Sequence, residues 1–212
     1  WDIQDGKDAD VLRVEVQNRI KRNIDEGQYA IMHFGFPCIT WSRARKHDNK
    51  GPPPLRGDTP DTLYGLPKLS EKDQAAVQEG NTMLRITCEL VEYAIQRGIL
   101  VTLENPASSR AWLTKEIKHL VERWEPIWNV TDYCQYGKKW KKPTTFPTFN
   151  GPNMHVRRCT GHNGNCSFTK QKHIHLSGKA RDGKYWTKIA EPYPYELCEK
   201  IAKSCIDHVL HN

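Results

Sequence analysis

Two amphipathic helices, each stopped by a glycine and followed by a short apolar run, restrict this chain more than any other feature. Over residues 11–26, Leu12, Val16, Ile20 and Ile24 recur every four positions. Asp10 stands where a cap is needed, Gly27 ends the segment, and residues 29–34 read as a buried strand. The same order then returns. Ser70 and Asp73 open a second helix, Leu84, Cys88, Val91 and Ile95 form its buried stripe, Gly98 stops it, and residues 99–103 make a second strand. A third helix over 114–124 precedes a strand-like stretch at 126–131. Strands that are apolar throughout need cover on both faces. The expected class is therefore α/β, a parallel, doubly wound sheet with helices on both faces.

In such a sheet, ligands bind just past the carboxyl ends of the strands. The first strand runs into Phe34-Gly35-Phe36-Pro37-Cys38, and the second into Leu103-Glu104-Asn105-Pro106. A thiol and a carboxyl at neighbouring strand ends are the groups needed to attack an electron-poor ring. The thiolate adds, and the acid supplies a proton as negative charge develops. Each group also has an ordinary reading, Cys38 as a small buried apolar residue and Glu104 as a helix-capping or salt-bridged carboxylate. Residues 43–68 form a long polar connection after Cys38, with Gly51-Pro52-Pro53-Pro54 and Arg56 within it. Its length and position suggest a mobile active-site loop.

With 212 residues, 37% of them apolar, the chain suits one core plus a small appendage. A net charge of +7 is compatible with a polyanionic partner. Seven cysteines in no compact disulfide spacing, and no signal peptide, point to a reducing intracellular compartment. No apolar run approaches the roughly 18 residues of a membrane span, so no membrane partner is expected.

From Tyr133 the composition changes. Gly137-Lys138-Lys139-Trp140-Lys141-Lys142-Pro143 is the densest cationic stretch, followed by a strand-like segment at 144–149. The expected organisation is a core over 1–149, a small basic Cys/His-rich lobe over 150–185, and a terminal helix within 186–212. That helix follows Pro194 and presents Leu197, Ile201, Cys205 and Val209 to the sheet. Cys159, His162, Cys166 and His173 offer two thiolates and two imidazoles, a donor set suited to tetrahedral Zn2+. A lobe with so few apolar residues has little else to hold it folded. His175 is an alternative to His162, with Cys134 and His155 behind them, and a solvated basic loop is the plain alternative to a metal site. Arg157, Arg158, Lys170, Lys172, Lys179 and Arg181 surround these residues, either neutralising phosphates or forming a solvated face.

The order Phe36-Pro37-Cys38 with Ser42, then Glu104-Asn105-Pro106, then Tyr136-Gly137 with a Lys-rich run, then a Pro-led terminal helix, resembles the DNA (cytosine-5)-methyltransferase family. More narrowly, it is similar to the divergent methyltransferase-like domains of mobile elements and large viruses. The resemblance covers the chain from Asp2 to about Cys205. It implies a Rossmann-like, class I methyltransferase fold in which Cys38 attacks C6 of a cytosine flipped out of double-stranded DNA, and Glu104 contacts and protonates N3. Lys142 best matches the first arginine of the family's Gln-x-Arg-x-Arg segment, where a lysine lacks the bidentate geometry.

The resemblance also implies S-adenosylmethionine as cofactor, with Asp2 on the ribose hydroxyls, Asp10 on the adenine amine and Pro37 packed against it. The family's first strand and Gly-rich turn are not in this sequence. That leaves a piece of a longer enzyme, a partner chain completing the site, or a protein that no longer binds the cofactor. Residues 150–185 correspond to the target-recognition region. Nucleic-acid contacts fall to Ser42, Arg43, Arg45, Lys138, Lys139, Lys141, Arg157 and Arg158, and in a eukaryote the location is nuclear. A rival reading is a nucleic-acid-binding module that kept the fold and lost the cofactor. A cysteine hydrolase is weaker, since no His and Asn/Asp pair is placed to serve Cys38.

Overall fold

The computed structural model describes residues 5–45 and 52–211. The main elements are α1 (Val14–Asp25), β1 (Ile31–Gly35), a one-turn α2 (Pro60–Leu63), α3 (Glu71–Ile95) and β2 (Leu100–Pro106). Then come α4 (Lys115–Trp124), β3 (Ile127–Asp132), a 3-10 turn at Tyr133–Tyr136, β4 (Pro143–Phe149), a one-turn α5 (Trp186–Ile189) and α6 (Tyr195–His211). The helices form where their periodicity and caps direct. Ser70 Oγ accepts the Asp73 amide at 3.2 Å to start α3, and Thr114 caps α4. Gly27 and Gly98, at φ +69° and +76°, turn the chain after α1 and α3 in a conformation other residues rarely adopt. Asp10 does not cap α1, which begins at Val14; its carboxylate instead accepts the Leu12 amide at 3.0 Å in the preceding turn.

The sheet is mixed, which corrects the expectation of a parallel one. Its order is β1-β2-β4-β3. β1 and β2 pair parallel, with Gly35 opposite Glu104, whereas β4 lies antiparallel between β2 and β3. Only residues 133–142 separate β3 from β4, and a parallel return needs a crossover of roughly a dozen residues or more. The chain therefore doubles back. β1, β2 and β3 still run in one direction, so their carboxyl ends share one edge with the start of β4.

Side chains alternate across the sheet as strand geometry requires. Val101, Leu103 and Phe149 join the stripes of α1, α3 and α4 in the main core. On the opposite face, Phe146 packs with Leu197, and Leu100 with Met154 and Cys205, beneath α6. Thr102 and Glu104 alternate with Val101 and Leu103 along β2, on the strand face that carries Leu100.

The long connection after Cys38 also departs from expectation. Residues 46–51 lie outside the described residues, but the part that follows is anchored rather than mobile. Arg56 is 1% exposed, lies 3.4 Å above the Trp41 ring, and donates to Thr40 Oγ1, Leu63 O, Val77 O and Asn81 Oδ1. A side chain at Gly80 of α3 would stand 2.7 Å from Thr40 Oγ1 and 3.0 Å from Arg56 Nη2, so the helix is bare where the guanidinium enters. Residues 150–185 contain no strand or helix, only isolated bridges pairing Asn165 with Lys172 and Lys179 with Tyr185. Among the described residues, no helix is long and apolar enough to cross a membrane.

Candidate functional site

The shared strand edge collects the chemistry. Cys38 lies three residues past β1, where its carbonyl accepts the amides of Trp41 and Ser42 at 3.0 and 2.8 Å in a tight turn. Asn105 Nδ2 donates to Phe36 O at 3.1 Å, tying the Glu-Asn-Pro end of β2 to the Pro-Cys loop. Glu104 is 9% exposed, and its Oε2 accepts the Tyr193 hydroxyl at 3.0 Å. Gly35 lies directly beside the pair, since a Cβ there would sit 3.3 Å from Tyr193 Oη and 3.7 Å from Glu104 Oε2. His33 extends the chain of contacts, with Nε2 3.2 Å from Tyr193 Oη and Nδ1 2.7 Å from Thr102 Oγ1. Lys142, just before β4, points its Nζ to the carbonyls of Ala190 and Glu191 at 2.8 and 3.3 Å and lies 4.7 Å from the centre of the Tyr133 ring.

These groups are close enough to set one another's acidity. Burial pushes the Glu104 carboxyl up, against the opposing pull of Lys142 and the Tyr193 hydroxyl. Burial and then the Glu104 charge push the Cys38 thiol up, while Lys142 draws it down. Lys142 is itself lowered by burial and raised by Glu104 and Cys38. Cys38 is therefore a thiol at rest, and protonating Glu104 removes part of what holds it there.

This coupling predicts two opposite results. Glu104→Gln removes the negative charge, lowers the Cys38 pKa, and should speed alkylation of Cys38 by iodoacetamide at pH 8 by roughly three- to tenfold. Lys142→Met should slow it by a comparable factor. Peptide mapping of the modified thiol reads both, and a change of the same sign in the two variants would contradict the coupling.

A second constellation lies beyond the end of β3. The ligating atoms of Cys134, Cys159, Cys166 and His173 all lie within 4.8 Å of one another, a group able to hold a metal ion. His162 and His175 are exposed and stand outside it, as does His155, and their place is taken by Cys134 from the Tyr133–Tyr136 turn. Burial alone would raise Cys159, but amide and hydroxyl donors from Ser167 and the Gly161 amide outweigh it and bring the thiol down to about 6. Burial pushes Cys134 up to about 12.

The remaining expected residues are dispersed. Asp2 lies outside the described residues, Asp10 is engaged by the Leu12 amide, and Pro37 is exposed beside Cys38. Arg43 pairs with Asp58 at 2.6 Å and donates to Ser108 O, Arg45 reaches Pro53 O, and Ser42 Oγ accepts the Ala44 amide. Arg157 pairs with Glu196 and lies over the Tyr136 ring, and Arg158 pairs with the buried Asp132. In the cationic run, Lys138 lies 5.9 Å from the centre of the Trp140 ring, Lys139 O accepts the Ile174 amide and Lys141 O accepts the Tyr133 amide. Sequence reasoning missed Tyr193, His33 and Arg110, whose Nε pairs with Asp58 at 2.9 Å and whose Nη1 reaches Ser42 O, and it ranked Cys134 behind His162 and His175 as a metal ligand. A buried-looking aromatic just before the Pro-led helix was the available signal for Tyr193; His33 and Arg110 had none. In comparisons with protein-family models, curated proteins and solved structures, nothing matched this chain.

Proposed function

We propose that the chain is a DNA (cytosine-5)-methyltransferase-type domain of the Rossmann-like, class I kind, acting on a cytosine turned out of a duplex. The observation that carries this reading is the trio of Cys38, Glu104 and Lys142 on one strand edge, with Glu104 raised in pKa and coupled to the thiol. Cys38 Sγ adds to C6 of the ring, and Glu104 delivers a proton to N3 as charge develops there. The electron density left at C5 makes that carbon the nucleophile. The Lys142 ammonium favours the anionic forms of both neighbours. Once C5 has taken the methyl group, loss of its proton to solvent, return of the N3 proton to the Glu104 carboxylate and departure of the Cys38 thiolate restore the neutral aromatic ring. The same protonation that arms Glu104 as a donor eases ionisation of Cys38, so the two roles support each other.

S-adenosylmethionine, when bound, supplies the methyl group. Of the residues assigned to it, Pro37 beside Cys38 fits packing against such a ligand, while Asp10, one of whose carboxylate oxygens accepts the Leu12 amide, would have its other oxygen to offer. Double-stranded DNA is held by phosphate contacts from Arg43, Arg45, Lys138, Lys139 and Lys141, giving affinity that falls with salt. The metal in the Cys/His cluster is zinc.

A second reading, a nucleic-acid-binding module without activity, is favoured by one observation: burial and Glu104 keep Cys38 a neutral thiol. Covalent capture separates the two. A duplex carrying a mechanism-based cytosine analogue should give an adduct that survives denaturing electrophoresis and maps to Cys38. DNA binding with no adduct, together with no calorimetric signal for S-adenosylmethionine, would establish the binding module instead.

A further inference from the structure

We infer that Cys134, Cys159, Cys166 and His173 form a closed zinc site that clamps the 150–185 segment to the end of β3 and, through Cys134, holds Tyr133 against Lys142 and Tyr193 at the strand edge that carries Cys38 and Glu104. Tetrahedral zinc, with bonds of about 2.3 Å to sulfur and 2.0 Å to nitrogen, places sulfur and nitrogen about 3.5 Å apart and two sulfurs about 3.8 Å apart. Cys159 Sγ lies 3.7 Å from His173 Nε2, and all four ligand atoms fall within 4.8 Å of one another. The three thiols approach this closely while remaining free, with no disulfide between them. Three soft sulfurs with one imidazole and no carboxylate select zinc over magnesium or calcium. Four protein ligands leave no open position, so the centre is structural rather than catalytic.

The surroundings are those of anionic sulfur ligands. The Ser167 amide and hydroxyl point to Cys159 Sγ at 3.4 and 3.6 Å, and Gln135 Nε2 stands 3.5 Å from both Cys134 Sγ and Cys166 Sγ. The chain turns so tightly here that a Cβ on Gly161 would lie 1.9 Å from Asn165 O, so only glycine allows the loop between Cys159 and Cys166 to close. Outside the ligands, Asp132 is fully buried at the end of β3, and its Oδ2 accepts the Cys159 amide at 2.8 Å and Arg158 Nε at 3.0 Å. That contact joins the ligand loop to the sheet. Elsewhere the segment, without helices or strands of its own, is tied down at separate points, by Met154 packed with Leu100 and Cys205 and by Arg157, whose carbonyl accepts Thr131 Oγ1, while the loop from Cys159 to His173 closes around this centre.

The position of Cys134 gives the centre its second role. Its neighbour Tyr133 is buried, donates its amide hydrogen to Lys141 O at 2.8 Å, and packs against Lys142 and Tyr193. A metal bound one residue away fixes Tyr133 and with it the setting of Lys142 and Tyr193; the catalytic meaning of that setting alone rests on the function proposed above.

X-ray absorption at the zinc edge of the purified full chain tests the inference. About one zinc per chain is expected, with three sulfurs and one nitrogen in the first shell at the distances above. His162→Ala and His175→Ala should keep the full equivalent, whereas Cys134→Ser should weaken retention against a competing chelator by more than about a hundredfold. Two sulfurs and two nitrogens, loss of metal in His162→Ala, or less than about three tenths of an equivalent in the wild-type chain would overturn it. Chelation should also change the rate of Cys38 alkylation at least about twofold, and an unchanged rate would remove the link to Cys38. Stoichiometry and ligand count stand or fall whether or not Cys38 ever adds to cytosine.

Discussion

Cys38→Ser is expected to abolish covalent capture of the cytosine analogue, reducing adduct formation by at least about a thousandfold. A serine hydroxyl in the same turn has no base to ionise it, since the nearby carboxyl is itself raised and serves as the acid. The turn at residues 38–42 is closed by the Cys38 carbonyl and not by its sulfur, so the fold and DNA affinity should remain. The contrasting variant is Cys88→Ser. That thiol lies in the main core against α4, and burial raises its pKa beyond the ordinary range, so its loss should leave the adduct intact. Capture that persists in Cys38→Ser would assign the nucleophile elsewhere and end the methyltransferase reading.

Arg56→Met should lower stability by about 3 kcal/mol, and Tm by about 6–12 °C, as read by thermal unfolding. Methionine retains much of the volume but none of the four hydrogen bonds, and it removes the side-chain donor from the Leu63 carbonyl and the second donor from the Val77 carbonyl inside α3. It also removes the cation stacked on Trp41 and the donor to Thr40, both in the turn that follows Cys38. Arg56→Lys should recover little, because one ammonium cannot span Thr40, Asn81 and two carbonyls in a planar fork. A Tm change below about 3 °C would mean that the segment after Cys38 is anchored by something else.

The helices were legible because their signals are local. A four-residue repeat, a Ser70 or Thr114 cap and a terminal glycine act within a turn or two, and α3 and α4 begin where those signals stand. Asp10 misled for the same reason, since an aspartate with an amide two residues on can close a turn instead of a helix. The strands were legible as strands but not as a sheet. A connection as short as residues 133–142 was enough to exclude a parallel β3–β4 pair, yet which neighbour β4 would join was not readable from it. The metal ligands divide likewise. Cys159, Cys166 and His173 announce themselves by spacing, whereas Cys134 is separated from them by all of β4.

By itself, the order of residues determined an α/β chain with a thiol and a carboxyl at the ends of its first two described strands. Periodicity and helix-stopping glycines act at short range, and a strand end is a place on the chain as much as in space. The tertiary structure decided what those ends meet. Inserting β4 between β2 and β3 brings Lys142 to the shared edge, and docking α6 on the far face carries Tyr193 onto Glu104. Closing the 150–185 segment over β3 sets Cys134 among the other ligands. Each of these depends on which apolar faces are buried against which, a choice made by the whole core and by no single stretch of it.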